Sequence, residues 1–458
     1  MSAQAVIAVN RFGMGARPNE LAQATHSPQD FLIEQLQPIT FNESLPNSRS
    51  LLLHMADFRQ RKRMLKNNPQ CVLESNQVNN KQFKGKAKKT RRFFRTSYNQ
   101  LCADSLVRSI ESDASMAWRL LDFFSNHFSV TAQGPMMTAL APTLEREALA
   151  PNLYGKFSDM VLAVMHHPAM LIYLNNERSF GPNSKIGKRG KGLNENLARE
   201  LMELHTLGVN GGYTQADVIE LAKGISGWGV ANPLTDYKTG FLFRSSGHEP
   251  GARVLLGKTY QQQGEAQGIT MITDLANHPA TAKHLCFQLA KHFINDKPDQ
   301  SLLDKLTKRW LETQGNIKEV IIALIKAEES WRPIRQKFKT PREFVVSAYR
   351  ALNLKPDLKQ QTALIWTLNT LGQRPFNAKS PEGYGDVEAD WNGPSALMTR
   401  VNWASQLANK KRRINAASHS KQLFADQISQ TSFQAISRAE SKQSALTLLL
   451  MSPEFLRR

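Results

Sequence analysis

Apolar residues recur at intervals of three and four over most of the chain. The stretches "ASMAWRLLDFFSNHF", "YGKFSDMVLAVMHH", "ATAKHLCFQLAKHFI", "IKEVIIALIKA" and "EFVVSAYRALN" all follow this period, which predicts amphipathic helices. Turn signals such as "GPNS", "NGG" and "SPEG" separate them. Residues 240–260, "GFLFRSSGHEPGARVLLGKTY", break the pattern with short alternating runs around a Gly/Pro-rich centre. They predict a hairpin or two short strands. No internal repeat is present. The expected architecture is a predominantly α-helical, multi-helix globular fold in one large domain over residues 1–458, with a minor β-hairpin near 240–260.

The densest set of polar groups on an apolar frame is "GLNENLARELMELHTLGVNGGYTQADV", residues 192–218. At 100° per residue Leu193, Leu197, Leu201 and Leu204 form a core stripe. Glu195, Arg199 and Glu203 are spaced i, i+4, i+8 and predict a ladder of ion pairs, each worth about 0.2–0.5 kcal/mol on an exposed face. Glu200 falls on the shoulder of the stripe, where partial burial raises a carboxylate's pKa unless a cation, a metal or good donors face it. His205 falls on the other shoulder, about 160° from Glu203, so a regular helix cannot bring the two to one ion. The spacing is neither HExxH nor the ExxH of a di-iron bundle. Gly208 or Asn210-Gly211 is expected to close the helix, and Thr214 with Asp217 predicts a capping box for the next one. The Gly211-Gly212 turn permits close approach of a backbone or ligand.

Composition adds three limits. Hydrophobic residues at 41% suffice for a real core, yet no run nears the roughly 20 apolar residues of a membrane helix. Cys71, Cys102 and Cys286 are scattered and form no CxxC, which argues against a disulfide framework or a cysteine zinc site. The start shows no signal-peptide pattern, so the expected compartment is the cytoplasm. The formal charge of +20 is local: Arg59 to Arg95 holds 13 Lys or Arg against one acid, Glu74. Residues 59–97 therefore read as a basic, flexible insertion, with Phe93, Phe94 and Tyr98 nearby as possible partners for a nucleic acid or other polyanion.

Several blocks in order carry a resemblance: "NRFGMGARPNEL", "FFSNHFSV", "HHPAMLIYLNNERSFGPNS", the central stretch, "HEPGARVLLGKTY", "KTPREFVVSAYRAL", "LGQRPFNAKSPEGYGD" and "LLLMSPEFLRR". Together they resemble domain of unknown function 1800, a family of large uncharacterised bacterial proteins. The resemblance covers nearly the whole chain apart from the basic segment and brings no established activity. It implies a neighbour or partner in domain of unknown function 1501, related to sulfatases and alkaline phosphatases, and export of many members. On that ground a periplasmic location is open if the chain travels with a signal-bearing partner. Where the family often reads Phe-Trp-His-Asn-His-Phe, this chain has Ser125 in place of the first histidine, leaving His127.

Two functional readings follow. In the first the chain is a pocket enzyme, hydrolytic or metal-assisted. Glu200 acts as general base or ligand and His127 and His248 as ligands or acid–base partners. Arg199 or Asn194 orients the substrate, and Gly211 and Gly212 line the pocket. A divalent metal is a candidate cofactor, held by Glu200, Glu203 and His127. His248 is favoured because it lies on a Gly-rich loop, whereas His127 among aromatics also reads as a hydrogen-bonded core histidine. His284 and His292, about 12 Å apart along one helix, are too distant to share an ion. In the second reading the chain is a helical scaffold or export companion of the phosphatase-like neighbour, its charged residues fixing the packing through buried pairs.

Overall fold

The structure, a computed structural model, describes residues 3–67, 78–233, 235–236, 239–411 and 413–458. Helices dominate, as the periodicity predicts. Those that position the site are α1 (Val78–Glu111), α2 (Ser115–His127), α3 (Gly134–Leu144), α4 (Asn196–Glu200), α5 (Gln215–Gly224), α6 (Pro279–Phe293) and α7 (Pro341–Ala351). The long α1 packs against α3, α7 and the helix Leu358–Thr370. Buried apolar residues from Ala5 to Leu456 join in one contiguous cluster. No helix among the described residues is long and apolar enough to cross a membrane.

Local signals account for most helix starts. Thr214 and Asp217 close a capping box on α5, and Thr340 and Glu343 close one on α7. His278 caps α6 differently: its Nδ1 accepts the backbone N–H of Ala280 at 3.1 Å, with Pro279 filling the first helical position. The β content is two antiparallel pairs. β1 (Trp228–Val230) pairs with β2 (Phe241–Phe243), and β3 (Arg253–Leu255) with β4 (Lys258–Tyr260). The expected hairpin near 240–260 is thus β3–β4, joined by Leu256 and Gly257, both at positive φ as a tight hairpin requires. β2 finds its partner further upstream.

Two helices that bear site residues end in π-turns, Glu145–Leu149 after α3 and Leu201–His205 after α4. Each π-turn inserts one extra residue into the helical repeat and shifts every later side chain around the axis. This corrects the expectation for the central stretch. His205 is fully buried beside Met202, while Leu204, expected in the core stripe, is half-exposed. The Glu195–Arg199–Glu203 ladder forms, with contacts of 3.1 and 3.5 Å.

Charge is also buried deep in the fold. Glu343 on α7 pairs with Arg119 of α2 and, at 2.7 Å, with Arg458. Arg350 reaches Glu20 at 2.8 Å, and Lys337 contacts Asp296 at 2.8 Å and Asp386 at 3.3 Å. The helix Ser48–Asn67 and α1 cover the described part of the basic segment expected to be flexible; residues 68–77 lie outside the described residues.

Candidate functional site

A cavity of about 640 Å³ opens where α2, α6, the end of α4, the start of α7 and the loop Phe376–Asp390 meet. The loop is fastened to α2 by a two-way clamp: Asn126 Nδ2 donates to the Tyr384 carbonyl at 2.9 Å, and the Tyr384 N–H donates to Asn126 Oδ1 at 2.8 Å. Gly383 makes the approach possible, since a Cβ there would lie 2.5 Å from the Asn126 carbonyl.

On one wall, α6 presents His292. Its Nδ1 lies 3.2 Å from Asp386 Oδ2, while its Nε2 is buried without a partner. Burial lowers the His292 pKa, with Asp386 opposing, so the ring is neutral near pH 7 and Nδ1 is the natural donor to the carboxylate. Burial alone would raise Asp386, but His292, Lys337 and Arg458 outweigh it and hold the group below the usual range. The result is an imidazole oriented by a carboxylate, with one nitrogen lone pair left free.

Two carboxyls line the same cavity, Glu145 buried and Asp122 partly exposed. Asp122 on α2 is raised by burial, although Arg342 opposes the shift with Nε 2.6 Å from Asp122 Oδ1. Glu145, first residue of a π-turn, is also raised by burial against the pull of Arg342, Ser105 and Ser125. Ser105 Oγ donates to Glu145 Oε1 at 2.5 Å and Ser125 Oγ to Oε2 at 3.0 Å. The serine that stands where the resemblance leads one to expect a histidine therefore orients a carboxyl.

The third wall is the π-turn after α4. A helix end leaves its last carbonyls unpaired. Here those of Leu204 and His205 face His284 Nε2 and His127 Nε2, each at 3.2 Å. A carbonyl only accepts, so both Nε2 atoms carry the proton. Burial lowers both pKa values; for His127 the charges of His205 and His284 add to the effect. His205 packs within 5.5 Å of the His127 ring, and burial takes its pKa down to about 4. Gly208, at φ +82°, lets this wall close, because a Cβ there would sit 2.7 Å from His284 Nδ1.

Of the residues singled out in the sequence, His127 and Glu203 line this cavity, whereas Glu200, His248, Arg199, Asn194, Gly211 and Gly212 do not. Glu200 is half-buried with a pKa raised by burial and by Glu203. His248 lies elsewhere, its Nδ1 3.1 Å from the Ser226 carbonyl and its ring against Phe243. Asn194 spends its amide on the Leu174 and Asn175 carbonyls, and Arg199 serves the ladder and Gln215. The sequence pattern does not point to Asp122, Glu145, Arg342 or Asp386, and it offers His292 only as a co-ligand of His284. For Arg342 and Asp386 the cue lies in "KTPREF" and "SPEGYGD"; Asp122, Glu145 and His292 fall outside these blocks. Among the described residues no three His, Cys, Asp or Glu side chains are grouped to hold a metal ion.

A family model described as "Protein of unknown function (DUF1800)" matches residues 7–457, nearly the whole chain. The chain belongs to the DUF1800 family. No curated protein and no solved structure matches this DUF1800 chain.

Proposed function

We propose that this DUF1800 protein is a hydrolase that works by general acid–base catalysis in the cavity between α2, α6 and α7. The supporting observation is the Asp386–His292 pair: His292 lines the cavity together with two carboxyls of raised pKa, and its Nε2 is buried without a partner. A base held by a second group, sharing its cavity with a carboxyl of raised pKa, is the arrangement such chemistry needs. His292 Nε2 takes a proton from water as the water oxygen attacks. Asp122 returns a proton to the leaving group as the scissile bond breaks. Arg342 stands beside Asp122 to meet developing negative charge. Glu145 sets the field at Arg342 and is a positioning residue.

The test is turnover of chromogenic carboxylic esters, glycosides and phosphoesters by the full chain, compared with His292→Gln and Asp122→Asn. Removal of a general base or acid is expected to cost about 10²–10⁴-fold. No turnover in any class, or turnover unchanged in His292→Gln, refutes the reading.

The scaffold reading has its own support in the Arg119–Glu343–Arg458 cluster, which ties α2 to α7 and to the chain's last residue. On that reading the protein is a folded companion for a DUF1501 phosphatase-like partner, and co-purification of the two chains is the measurement that decides.

A further inference from the structure

Behind His292 and Asp386, which line the large cavity, the row of charged groups continues inward. Asp386 Oδ2 lies 3.2 Å from His292 Nδ1, and its Oδ1 lies 3.3 Å from Lys337 Nζ. The Lys337 side chain is 1% exposed; its Nζ also donates to Asp296 Oδ1 at 2.8 Å and to the Asp386 carbonyl. An ammonium has three donors, and these three acceptors account for them. Asp296 does not line the large cavity. It lines a second one, of about 390 Å³, whose wall includes Ile294 and Asn295 just beyond α6. Its other oxygen accepts the Glu388 N–H at 3.0 Å, which ties it to the loop that carries Asp386. The lysine backbone is held as well: its N–H donates to the Arg458 carbonyl at 3.3 Å, and its carbonyl accepts the Arg458 N–H at 2.9 Å. Four side chains in contact, His292, Asp386, Lys337 and Asp296, thus run from one cavity to the other.

We infer that Lys337 and Asp296 are positioning residues for the Asp386–His292 pair, and that through them charge in the second cavity acts on the base in the first. The inference rests on His292 being the base of the hydrolytic reading and adds how that base is regulated. A lysine that only fastened the loop needs one carboxylate. Here two share it, and the outer one, with its side chain 29% exposed, is the one that opens on another cavity. Between them Lys337 is shielded from water, so each change of charge is felt strongly by its neighbour. When Asp296 is neutralised, by a proton or by a cation in the second cavity, Lys337 acts on Asp386 undivided. Asp386 then supports a proton on His292 less, and the base weakens. Loss of the lysine charge has the opposite effect. The other charged groups that bear on His292 are Glu343 of α7, Asp122 of α2 and Arg458, and they are the same in either case.

The test reads His292 directly and needs no turnover. In the full chain carrying carbon-13 at histidine Cε1, the His292 resonance, assigned with His292→Gln, is followed from pH 8 to pH 5. Lys337→Met removes the cation and is expected to raise the proton affinity of His292 by about threefold or more; Asp296→Asn removes the outer carboxylate and is expected to lower it by a similar factor. Asp299→Asn is the control. Asp299 lines the second cavity but pairs with Arg332 at 2.6 Å, so this variant is expected to leave His292 unchanged. Loosened packing gives no reason for shifts of opposite sign. Shifts of the same sign, no shift in Asp296→Asn, or an equal shift in Asp299→Asn each overturn the inference; if Lys337→Met does not fold, Asp296→Asn decides alone. Shifts of the expected signs in a chain that turns over no substrate leave the coupling standing and remove the hydrolytic reading.

Discussion

Buried His205 makes the protein sensitive to acid in a way that can be calculated. Its ring is fully buried, neither nitrogen has a partner, and its pKa falls from 6.5 to about 4 on folding. The unfolded chain therefore binds a proton at a pH where the folded one does not. Stability from this group is complete above pH 6.5 and is lost as pH falls toward 4. With those two values the loss between pH 8 and pH 5 is about 2 kcal/mol for this residue alone. His205→Leu removes the titration while keeping the backbone carbonyl that receives His127. It also removes two unsatisfied buried nitrogens, so its stability at pH 8 is expected to stay near wild type. Urea unfolding of both proteins at pH 8 and pH 5 is the assay. The variant is expected to lose about 2 kcal/mol less than wild type across that interval. Equal losses refute the reasoning, because they mean His205 protonates in the folded state as easily as in the unfolded one.

Other outcomes follow from the same geometry. Glu343→Gln leaves Arg119 and Arg458 without their carboxylate and is expected to cost about 3–5 kcal/mol, read as a lower thermal midpoint. Gly208→Ala places a side chain at φ +82° and 2.7 Å from His284 Nδ1, so a loss of about 1–3 kcal/mol is expected by urea unfolding. On the outer face of α1, Lys88, Lys89, Arg91, Arg92 and Arg95 are exposed. If that face binds polyanions, retention on heparin falls steeply with salt and drops when the five are changed to serine; retention that is unaltered removes the idea.

What could be read in advance was local. Capping residues act within four positions, so Thr214 and Asp217 announced α5, and the i, i+4 spacing announced the Arg199 ladder. The failure at His205 has one cause: a π-turn changes the period, and nothing in Leu201–His205 departs from an ordinary helical composition. What imposes it lies outside the segment, in His127 of α2 and His284 of α6, which take the carbonyls that the wider turn leaves unpaired. The cavity was hidden for the same kind of reason. Asp122, Glu145, His292, Arg342 and Asp386 come from five separated segments and meet only through packing across the whole chain. His284 and His292 lie eight positions apart on one uninterrupted helix, a spacing that argues against a shared ion. The two serve different walls of one cavity, one pinned to a backbone carbonyl and the other to a carboxylate. Helical spacing excludes a shared ligand; it says nothing against a shared substrate, whose two ends can each meet a different histidine.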